Sequence, residues 1–232
     1  MPLFEVKNLQ KTYQVGEVKT HALRGVDLTI NKGEFTAIAG PSGSGKSTLL
    51  HLMGGLDKPS GGEIYLNGER VDQLTKAEGA AVRLEQLGFV FQAYNLIPVL
   101  TALENAAFVL ELQGVPKKER EAKALHSLKT LGIDEFAHRR PNQLSGGQQQ
   151  RVAVARAFAA EPDIILADEP TANLDSKSGG DLIEMMKRLN EEQGVTFVFS
   201  THDPRLLEHV KRIVRMEDGR IVASEQPEPV AA

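Results

Sequence analysis

A glycine-rich segment near the start of the chain has the residue types and spacing that bind phosphate. It reads Gly40-Pro41-Ser42-Gly43-Ser44-Gly45-Lys46-Ser47-Thr48, which contains the pattern G-x-x-x-x-G-K-[ST]. The glycines let the backbone fold closely around phosphate, so that amide N–H groups can point at its oxygens. Lys46 brings a positive charge to the β- and γ-phosphates, and the Ser47 hydroxyl can ligate Mg²⁺. We therefore predict that this segment binds a nucleoside triphosphate together with Mg²⁺.

Two carboxylates further along the chain can complete such a site. Asp168 ends the apolar run 163–168, where a carboxylate can hold Mg²⁺ directly or through water. Glu169 follows at once, in a position to orient and deprotonate an attacking water. A strand end with two solvated acids is the alternative for this pair taken alone. The phosphate-binding pattern upstream favours the catalytic interpretation.

Two further polar residues also follow short apolar runs. His202 comes after residues 196–200, a strand expected beside those that bear the phosphate loop and Asp168, so His202 could reach the γ-phosphate. Gln92 comes after residues 89–91 and is similarly placed to sense Mg²⁺ and the attacking water. A lone histidine after a strand is more often structural than catalytic, and only its expected neighbours favour the catalytic role here.

A second glycine-containing motif has two compatible interpretations. It reads Leu144-Ser145-Gly146-Gly147-Gln148. Ser145-x-x-Gln148 is a capping box, which predicts that a helix starts here. The two glycines leave that helix start without side-chain cover, and uncovered N–H groups attract anions. We predict a helix whose first turn binds phosphate.

One aromatic residue is a candidate for contact with a base. Tyr13 could stack on an adenine ring, since stacking needs only an exposed aromatic side chain. A surface aromatic at a strand end is an equal alternative, and the residues alone leave both open.

The elements expected around these residues are those of an α/β fold. The runs 35–39, 163–168 and 196–200 are short and continuously apolar, as are strands buried on both faces of a parallel sheet. The first run leads into the phosphate loop, and residues 47–53 after the loop read as a helix. Strand, glycine-rich loop and helix are the context that the phosphate-binding pattern requires.

Two other regions flank this core. Alternating apolar residues at 3–9 and 22–30, with the turn Asn67-Gly68 further on, predict an antiparallel sheet. Residues 119–131 have apolar side chains at helical spacing. We interpret residues 93–160 as a helical subdomain inserted into the core.

The composition narrows the class of protein. Hydrophobic residues make up 41% and charged residues 25% of 232, the balance of a globular protein with a substantial core. The net charge of −4 does not favour nucleic acid as a partner, and the absence of cysteine excludes disulfides and thiolate metal sites. We expect no signal peptide and no membrane-spanning segment, so that any membrane association comes through a partner. Residues 225–232 are predicted to form a disordered tail.

These motifs resemble those of ATP-binding cassette (ABC) ATPases, in the family's order and over nearly the whole chain. By this resemblance residues 40–48 are the Walker A motif, Gln92 the Q-loop, 144–148 the ABC signature, 164–168 the Walker B motif, Glu169 the catalytic carboxylate, 172–175 the D-loop and His202 the switch histidine. Tyr13 is similar to the aromatic residue that stacks on adenine. Every one of these motifs is intact, which argues against a degenerate site.

The resemblance implies a fold and a set of site residues. A single ABC ATPase domain would span residues 1–232, with a P-loop NTPase (RecA-like) core, an antiparallel β subdomain and the inserted helical subdomain. ATP and Mg²⁺ are the implied cofactors, with ATP bound by Tyr13 and residues 40–48. Mg²⁺ would be held by Ser47, Gln92 and Asp168. Hydrolysis would depend on Glu169, His202, Gln92 and Lys46.

The resemblance also implies partners. Two copies would pair head to tail in an ATP-dependent way, so that Ser145, Gly146, Gly147 and Gln148 of one copy cover the ATP of the other. An integral membrane permease would hold the pair at the inner, cytoplasmic face of the cell membrane, and no nucleic acid is expected. The segment 93–100, apolar with one aromatic residue and one proline, is a candidate docking site for a permease helix. Packing within the helical subdomain is the alternative for that segment.

Finer features are similar to the macrolide-export and lipoprotein-release branch of the family. They lie in residues 21–26, 100–105, 148–152, 166–176 and 201–204. Members of that branch often move substrates from the outer face of the inner membrane by transmitting force. Cell-division and amino-acid-import ABC ATPases have related motifs and stay as alternatives.

Two classes outside transport are less well supported. Soluble ABC ATPases that act on DNA or ribosomes usually carry long coiled-coil insertions or two fused cassettes, and this chain has one cassette and no long heptad run. A phosphate-loop kinase or GTPase has no use for the signature, and Asn-Lys-x-Asp, which recognises guanine, is absent from the sequence.

Overall fold

The computed structural model describes residues 2–226, which form two β-sheets flanked by helices. In chain order the strands are β1 (Phe4–Val15), β2 (Val18–Ile30), β3 (Phe35–Ala39), β4 (Gly61–Leu66), β5 (Glu69–Arg70), β6 (Leu87–Val90), β7 (Ile164–Asp168), β8 (Thr196–Thr201), β9 (Arg212–Glu217) and β10 (Arg220–Glu225). The α-helices are α1 (Lys46–Met53), α2 (Lys76–Gln86), α3 (Ala102–Leu112), α4 (Lys117–Thr130), α5 (Gly146–Ala159), α6 (Ser176–Gln193) and α7 (Pro204–His209).

The larger sheet has the order β10-β9-β3-β8-β7-β6, and all its neighbours pair in parallel except β10 with β9. Strand β8 lies between β3 and β7, as the sequence predicts. The carboxyl ends of these three strands therefore meet at one edge, which brings together the residues that follow them. The α/β core predicted from the sequence, with a parallel sheet at its centre, is confirmed.

The smaller sheet is antiparallel, in the order β2-β1-β4-β5. The predicted hairpin turn joins β4 to β5, and both of its residues have positive φ, 52° at Asn67 and 83° at Gly68. A type I′ turn needs this conformation at both central residues, and Asn-Gly adopts it readily.

Alternation along the central strands divides the core in two. Ile165 and Ala167 face a cluster shared with α3, α4, α5 and α6. Ile164 and Leu166 face the opposite cluster, shared with α1 and the antiparallel sheet. The central sheet is thus covered on both faces, which explains why its strands read as continuous apolar runs.

Three of the α-helices begin at a capping box, in which the N-cap hydroxyl and the N3 carboxylate or amide bond each other's backbone N–H. The N-cap residues are Thr75 for α2, Thr101 for α3 and Ser145 for α5.

Helices α3, α4 and α5 fall within residues 93–160, whose treatment as a separate subdomain stays a prediction. Within residues 2–226, no helix is long and apolar enough to span a membrane. Of the predicted tail, Glu225 ends β10, and residues 227–232 lie outside the described residues.

Candidate nucleotide site

The phosphate-binding segment forms a tight loop between β3 and α1. A Cβ on Gly40 would lie 2.2 Å from the carbonyl oxygen of Met216, so that only glycine fits there. Gly45, the N-cap of α1, has φ of 101° and no side chain bonded to the helix start. The amide groups of the first turn are therefore left for another acceptor, as in an anion site. The Lys46 amine lies inside the loop and donates to the carbonyls of Gly40 and Pro41, both at 2.9 Å.

Asp168 lies at the carboxyl end of β7, directly beside this loop. Its Oδ1 accepts hydrogen bonds from the Ser47 hydroxyl at 2.8 Å and from the Ser200 hydroxyl at 2.7 Å. Its Oδ2 lies 3.4 Å from Nε2 of His51, one turn after Ser47 on α1. Asp168 and Ser47 are thus brought together as predicted, whereas Ser200 and His51 were not identified from the sequence. Ser200 follows from the sheet register, since the parallel pairing places it opposite Asp168.

The donor set beside Asp168 fits Mg²⁺. This ion takes oxygen ligands, keeps several of its waters and is usually held by one or two carboxylates plus phosphate oxygens. One carboxylate and one hydroxyl, Asp168 and Ser47, already share a hydrogen bond here and face the loop that would hold phosphate. Gln92 lines a cavity that Ser47 and the phosphate loop also line, and it could contribute its side-chain oxygen. The assignment of these three residues to Mg²⁺ remains a prediction.

Glu169 has a strained backbone and a half-satisfied carboxylate. Its φ is +47°, a left-handed conformation that costs a non-glycine residue about 1–2 kcal/mol. Its Oε1 lies 2.8 Å from Nδ1 of His202, whose ring is otherwise 70% exposed. Its Oε2 is buried and has no hydrogen-bond partner within residues 2–226. Strain and an unpaired buried oxygen at the same residue are typical of catalytic positions.

These residues surround one cavity of about 610 Å³. Predicted site residues that line it are Pro41, Ser42, Gly43, Gly45, Lys46, Ser47, Thr48, Gln92, Glu169 and His202. Thr20, His21 and Ala22 of strand β2 also line it, which the sequence did not indicate. Phosphate loop, candidate base and histidine thus face a common space.

Gly40, Ser44 and Asp168 are not part of this lining, and two further predicted groups, Tyr13 and the signature motif, also do not line the cavity. Tyr13 is 39% exposed, with its hydroxyl donating to Asp57 at 3.0 Å and its ring 4.8 Å from the Lys11 amine. Burial raises the pKa of the Tyr13 hydroxyl above its ordinary value, and the hydrogen bond to Asp57 raises it further. The ring is accessible for stacking, but its contact with adenine stays a prediction.

The signature motif is the second group, and it forms the start of α5 as predicted. Ser145 Oγ accepts from the Gln148 amide at 3.3 Å, and Gln148 Oε1 accepts from the Ser145 amide at 2.8 Å. None of residues 145–148 is among those that line the cavity. The start of α5 therefore does not line the cavity that its own phosphate loop lines, and its binding of phosphate stays a prediction.

The segment after Gln92 is held against α5. Tyr94 and Asn95 both have positive φ, 57° and 50°, and their carbonyls accept hydrogen bonds from Arg156. Burial lowers the pKa of the Arg156 guanidinium. Leu96 packs against the core and does not project outward, so the packing alternative applies to this side chain.

An apolar groove of about 400 Å³ lies next to this segment. Its apolar lining comes from Leu56, Leu84, Leu87, Phe89, Phe91, Phe108, Val109 and Leu112. Of the segment 93–100 only Asn95 lines the groove, and Leu112 on its wall is 58% exposed. The apolar surface thus belongs mainly to β6 and α3.

A polar network connects the His202 loop to the chain after Glu169. Asp203 accepts from the Thr171 hydroxyl at 2.6 Å and from the Arg205 guanidinium at 2.7 Å. Arg205 also donates to the carbonyl of Ser176 at the start of α6. Burial alone would raise the pKa of Asp203, but the hydrogen bonds from Arg205 and Thr171 outweigh it and hold that pKa below its ordinary value.

The chain is similar to known proteins over most of its length. The family model described as "ABC transporter" matches residues 23–172. An uncharacterised ABC transporter ATP-binding protein, MJ0796 of Methanocaldococcus jannaschii, is 48% identical over 97% of this chain and 97% of its own length. The lipoprotein-releasing system ATP-binding protein LolD of Anaeromyxobacter dehalogenans is 46% identical over 96% of this chain and 93% of its own.

Two further comparisons extend this similarity. The macrolide export ATP-binding/permease protein MacB of Syntrophobacter fumaroxidans is 44% identical over 95% of this chain, which spans 31% of that protein. A solved dimeric structure of the MJ0796 cassette, in a post-hydrolysis state with ADP and Pi, matches with a TM-score of 0.90 at 47% identity. That match covers 96% of this chain and 98% of the solved one.

Proposed function

The chain belongs to the ABC transporter family of ATP-binding proteins, and from this premise we propose that it drives a separate membrane permease as one of two head-to-tail subunits. It is an ATPase of transporter complexes. The relatives that release lipoproteins or export macrolides indicate the kind of complex. The observation that carries the proposed pairing is the intact signature helix, Ser145–Gln148, which lies outside the cavity of its own chain.

Within one chain, each side chain has a role in ATP hydrolysis. The loop amides and Lys46 would hold the β- and γ-phosphates. Ser47, Asp168 and Gln92 would hold Mg²⁺, which neutralises charge on the phosphate oxygens when bound. Glu169 would accept a proton from the water that attacks the γ-phosphorus, as the bond from that phosphorus to the leaving oxygen of ADP breaks. His202, bonded to the other oxygen of Glu169, would keep this carboxylate aimed at the water.

Between chains, the signature helix of one copy would close over the γ-phosphate of the other. A helix start with uncovered N–H groups and a capping serine attracts an anion that has charge to neutralise. Closing two copies over ATP would exclude water, and loss of the γ-phosphate would remove the group that bridges them. The MJ0796 cassette, which is dimeric with ADP and Pi, supports this arrangement.

The apolar groove between β6 and α3 is the surface that we assign to the permease. It is open, lined by aromatic and aliphatic side chains, and adjacent to the segment that follows Gln92. An apolar helix of the permease in this groove would hold the ATPase at the cytoplasmic face of the membrane. The segment that follows Gln92 would then connect the permease helix in the groove to the nucleotide site.

The proposal is tested with Glu169→Gln protein in light scattering with and without ATP. General-base catalysis contributes about 10²–10⁴-fold, so turnover should fall by that factor while ATP binding is kept. The trapped variant should become dimeric with ATP, and adding Ser145→Arg should keep it monomeric. Thr75→Arg is the matched control, since it damages the capping box of α2 and leaves the signature intact.

The two parts of the proposal fail separately. Wild-type turnover in Glu169→Gln would exclude Glu169 as the base. A dimer that forms equally well with Ser145→Arg would exclude the head-to-tail geometry. An ATP-bound Glu169→Gln protein that stays monomeric at high concentration would show that the pair forms only on the permease.

A further inference from the structure

Gln150 is a buried side chain that connects three parts of the nucleotide site. It lies on α5, which begins at the signature, and it is fully buried. Its Nε2 donates to the carbonyl of Pro170 at 2.8 Å and to the carbonyl of Phe91 at 3.3 Å. Pro170 follows Glu169, and Phe91 precedes Gln92. One amide thus joins the signature helix to the backbone beside both of these residues.

The turn that carries Glu169 needs such support. A left-handed conformation at a non-glycine residue persists only where the surroundings hold it in place. Two backbone contacts contribute, since the Glu169 amide donates to Ser200 and its carbonyl accepts from Ala172. These two hydrogen bonds involve the amide and the carbonyl of Glu169 itself, whereas Gln150 bonds the carbonyl of the next residue, Pro170. Without that hydrogen bond the turn could relax toward φ below zero and move the carboxylate.

The other end of the Gln150 amide has no partner. Its Oε1 is buried and accepts no hydrogen bond within residues 2–226. Both neighbours of Nε2 are carbonyl oxygens, which need a donor, so the amide orientation is fixed. A buried acceptor without a donor opposes folding, and the side chain is therefore not explained by stability alone.

We propose that Gln150 is a positioning residue, which holds the strained Glu169 turn and the start of the Gln92 loop in register with the signature helix. This role rests on Glu169 as the general base of the proposed function. It makes the geometry of the catalytic carboxylate depend on the position of the helix that is proposed to contact the partner's ATP.

Two substitutions separate hydrogen bonding from packing. Gln150→Met keeps the side-chain volume, removes the donors and also removes the unpaired acceptor. Gln150→Asn keeps an amide that can donate but leaves a small void. If Gln150 acts through its hydrogen bonds, kcat should fall by roughly 10²-fold in Gln150→Met, the scale of a 1 Å misplacement, and by less in Gln150→Asn.

The matched control is Asn190→Leu. Asn190 is also buried, and its amide also donates to two backbone carbonyls, those of Gly33 and Val195, both at 2.8 Å. These lie near the amino ends of the strands, away from the cavity. Asn190→Leu should lower the melting temperature and leave kcat within twofold of wild type.

A double-mutant cycle with Glu169→Gln completes the test, using single-turnover release of labelled phosphate from ATP. Because Gln150 is proposed to act through Glu169, adding Gln150→Met to Glu169→Gln should change the residual rate by less than threefold. The inference would be overturned if Gln150→Met lowered the rate 10²-fold both in the wild-type protein and in Glu169→Gln. It would also be overturned if Gln150→Met were more active than Gln150→Asn, or if kcat were unchanged in Gln150→Met. Wild-type turnover in Glu169→Gln itself would instead overturn the proposed function.

Discussion

Ser200 provides the sharpest test of how Asp168 is held, because its removal takes away one hydrogen bond and little else. The side chain is fully buried, and its hydroxyl donates to Asp168 Oδ1 at 2.7 Å. Ser200→Ala deletes one oxygen and leaves the carboxylate bonded only by Ser47 on that atom. The backbone carbonyl of Ser200, which accepts from the Glu169 amide, is unchanged.

The size of the effect follows from the charge on the acceptor. A hydrogen bond to a charged group contributes about 1.5–3 kcal/mol, and 1 kcal/mol corresponds to about 2–4 °C in a chain of 150–250 residues. Ser200→Ala should therefore lower the melting temperature without Mg²⁺ by roughly 3–12 °C. Loss of a group that orients a metal ligand typically weakens metal binding about 10–100-fold. The Mg²⁺ concentration for half-maximal ATPase activity should rise by that factor.

The assay is ATPase activity against free Mg²⁺ at saturating ATP, beside thermal unfolding without Mg²⁺. Thr196→Val is the matched control, since Thr196 is a fully buried hydroxyl at the other end of the same strand, where it accepts from the Gly33 amide at 3.0 Å. It should lower the melting temperature and leave the Mg²⁺ dependence unchanged. An unchanged Mg²⁺ dependence in Ser200→Ala, or an equal shift in Thr196→Val, would refute the assignment of Asp168 as the Mg²⁺ ligand that Ser200 orients.

Three further predictions follow from separate contacts. Gly40→Ala puts a Cβ 2.2 Å from the Met216 carbonyl and should abolish ATP binding measured by equilibrium dialysis, whereas Gly180→Ala meets open space on α6 and should bind normally. Folding lowers the pKa of Asp203 from its ordinary value of 3.8. The charged carboxylate therefore stabilises the folded state above pH 3.8, and this stabilisation is lost as the pH falls through the folded-state pKa. The difference in melting temperature between wild type and Asp203→Asn should accordingly shrink between about pH 5 and pH 2. Leu112→Glu should abolish co-purification with the permease while ATPase activity and melting temperature stay unchanged, in contrast to the exposed apolar Val18→Glu, which lies away from the groove and should still co-purify.

The parts of the fold that could be predicted from sequence are those where a local pattern has one physical solution. The run 35–39 is strand β3 as read, because five apolar residues before a glycine-rich loop suit a strand buried on both faces. The capping box at Ser145 gave the start of α5, since both partners lie within four residues. The antiparallel strands were read too short. Strand β1 continues to Val15 and β2 starts at Val18, where nearly all side chains are exposed and no alternation marks them.

The candidate site divides in the same way. Asp168, Glu169 and His202 were predicted because they lie at the end of apolar runs or within two residues after them. Ser200 and Gln150 were not, because their partners are fixed only by sheet register and by the packing of α5. The positive φ of Glu169 is equally invisible in the sequence, since glutamate has no preference for that conformation.

Helix α5 explains how distant parts of this site can act together. Its 14 residues span about 21 Å, and most of them are buried. Its start at Ser145 is the proposed anion site, Gln150 donates to the carbonyl of Pro170 beside Glu169, and Arg156 near its end donates to the carbonyls of Tyr94 and Asn95. A tilt of this helix toward a bound phosphate would therefore displace the segment beside the apolar groove. Interfaces of close-packed elements shift between discrete arrangements and do not deform continuously. In the proposed head-to-tail pair, one helix of this kind would connect the nucleotide held by one subunit with the permease contact of the other subunit, which carries the signature.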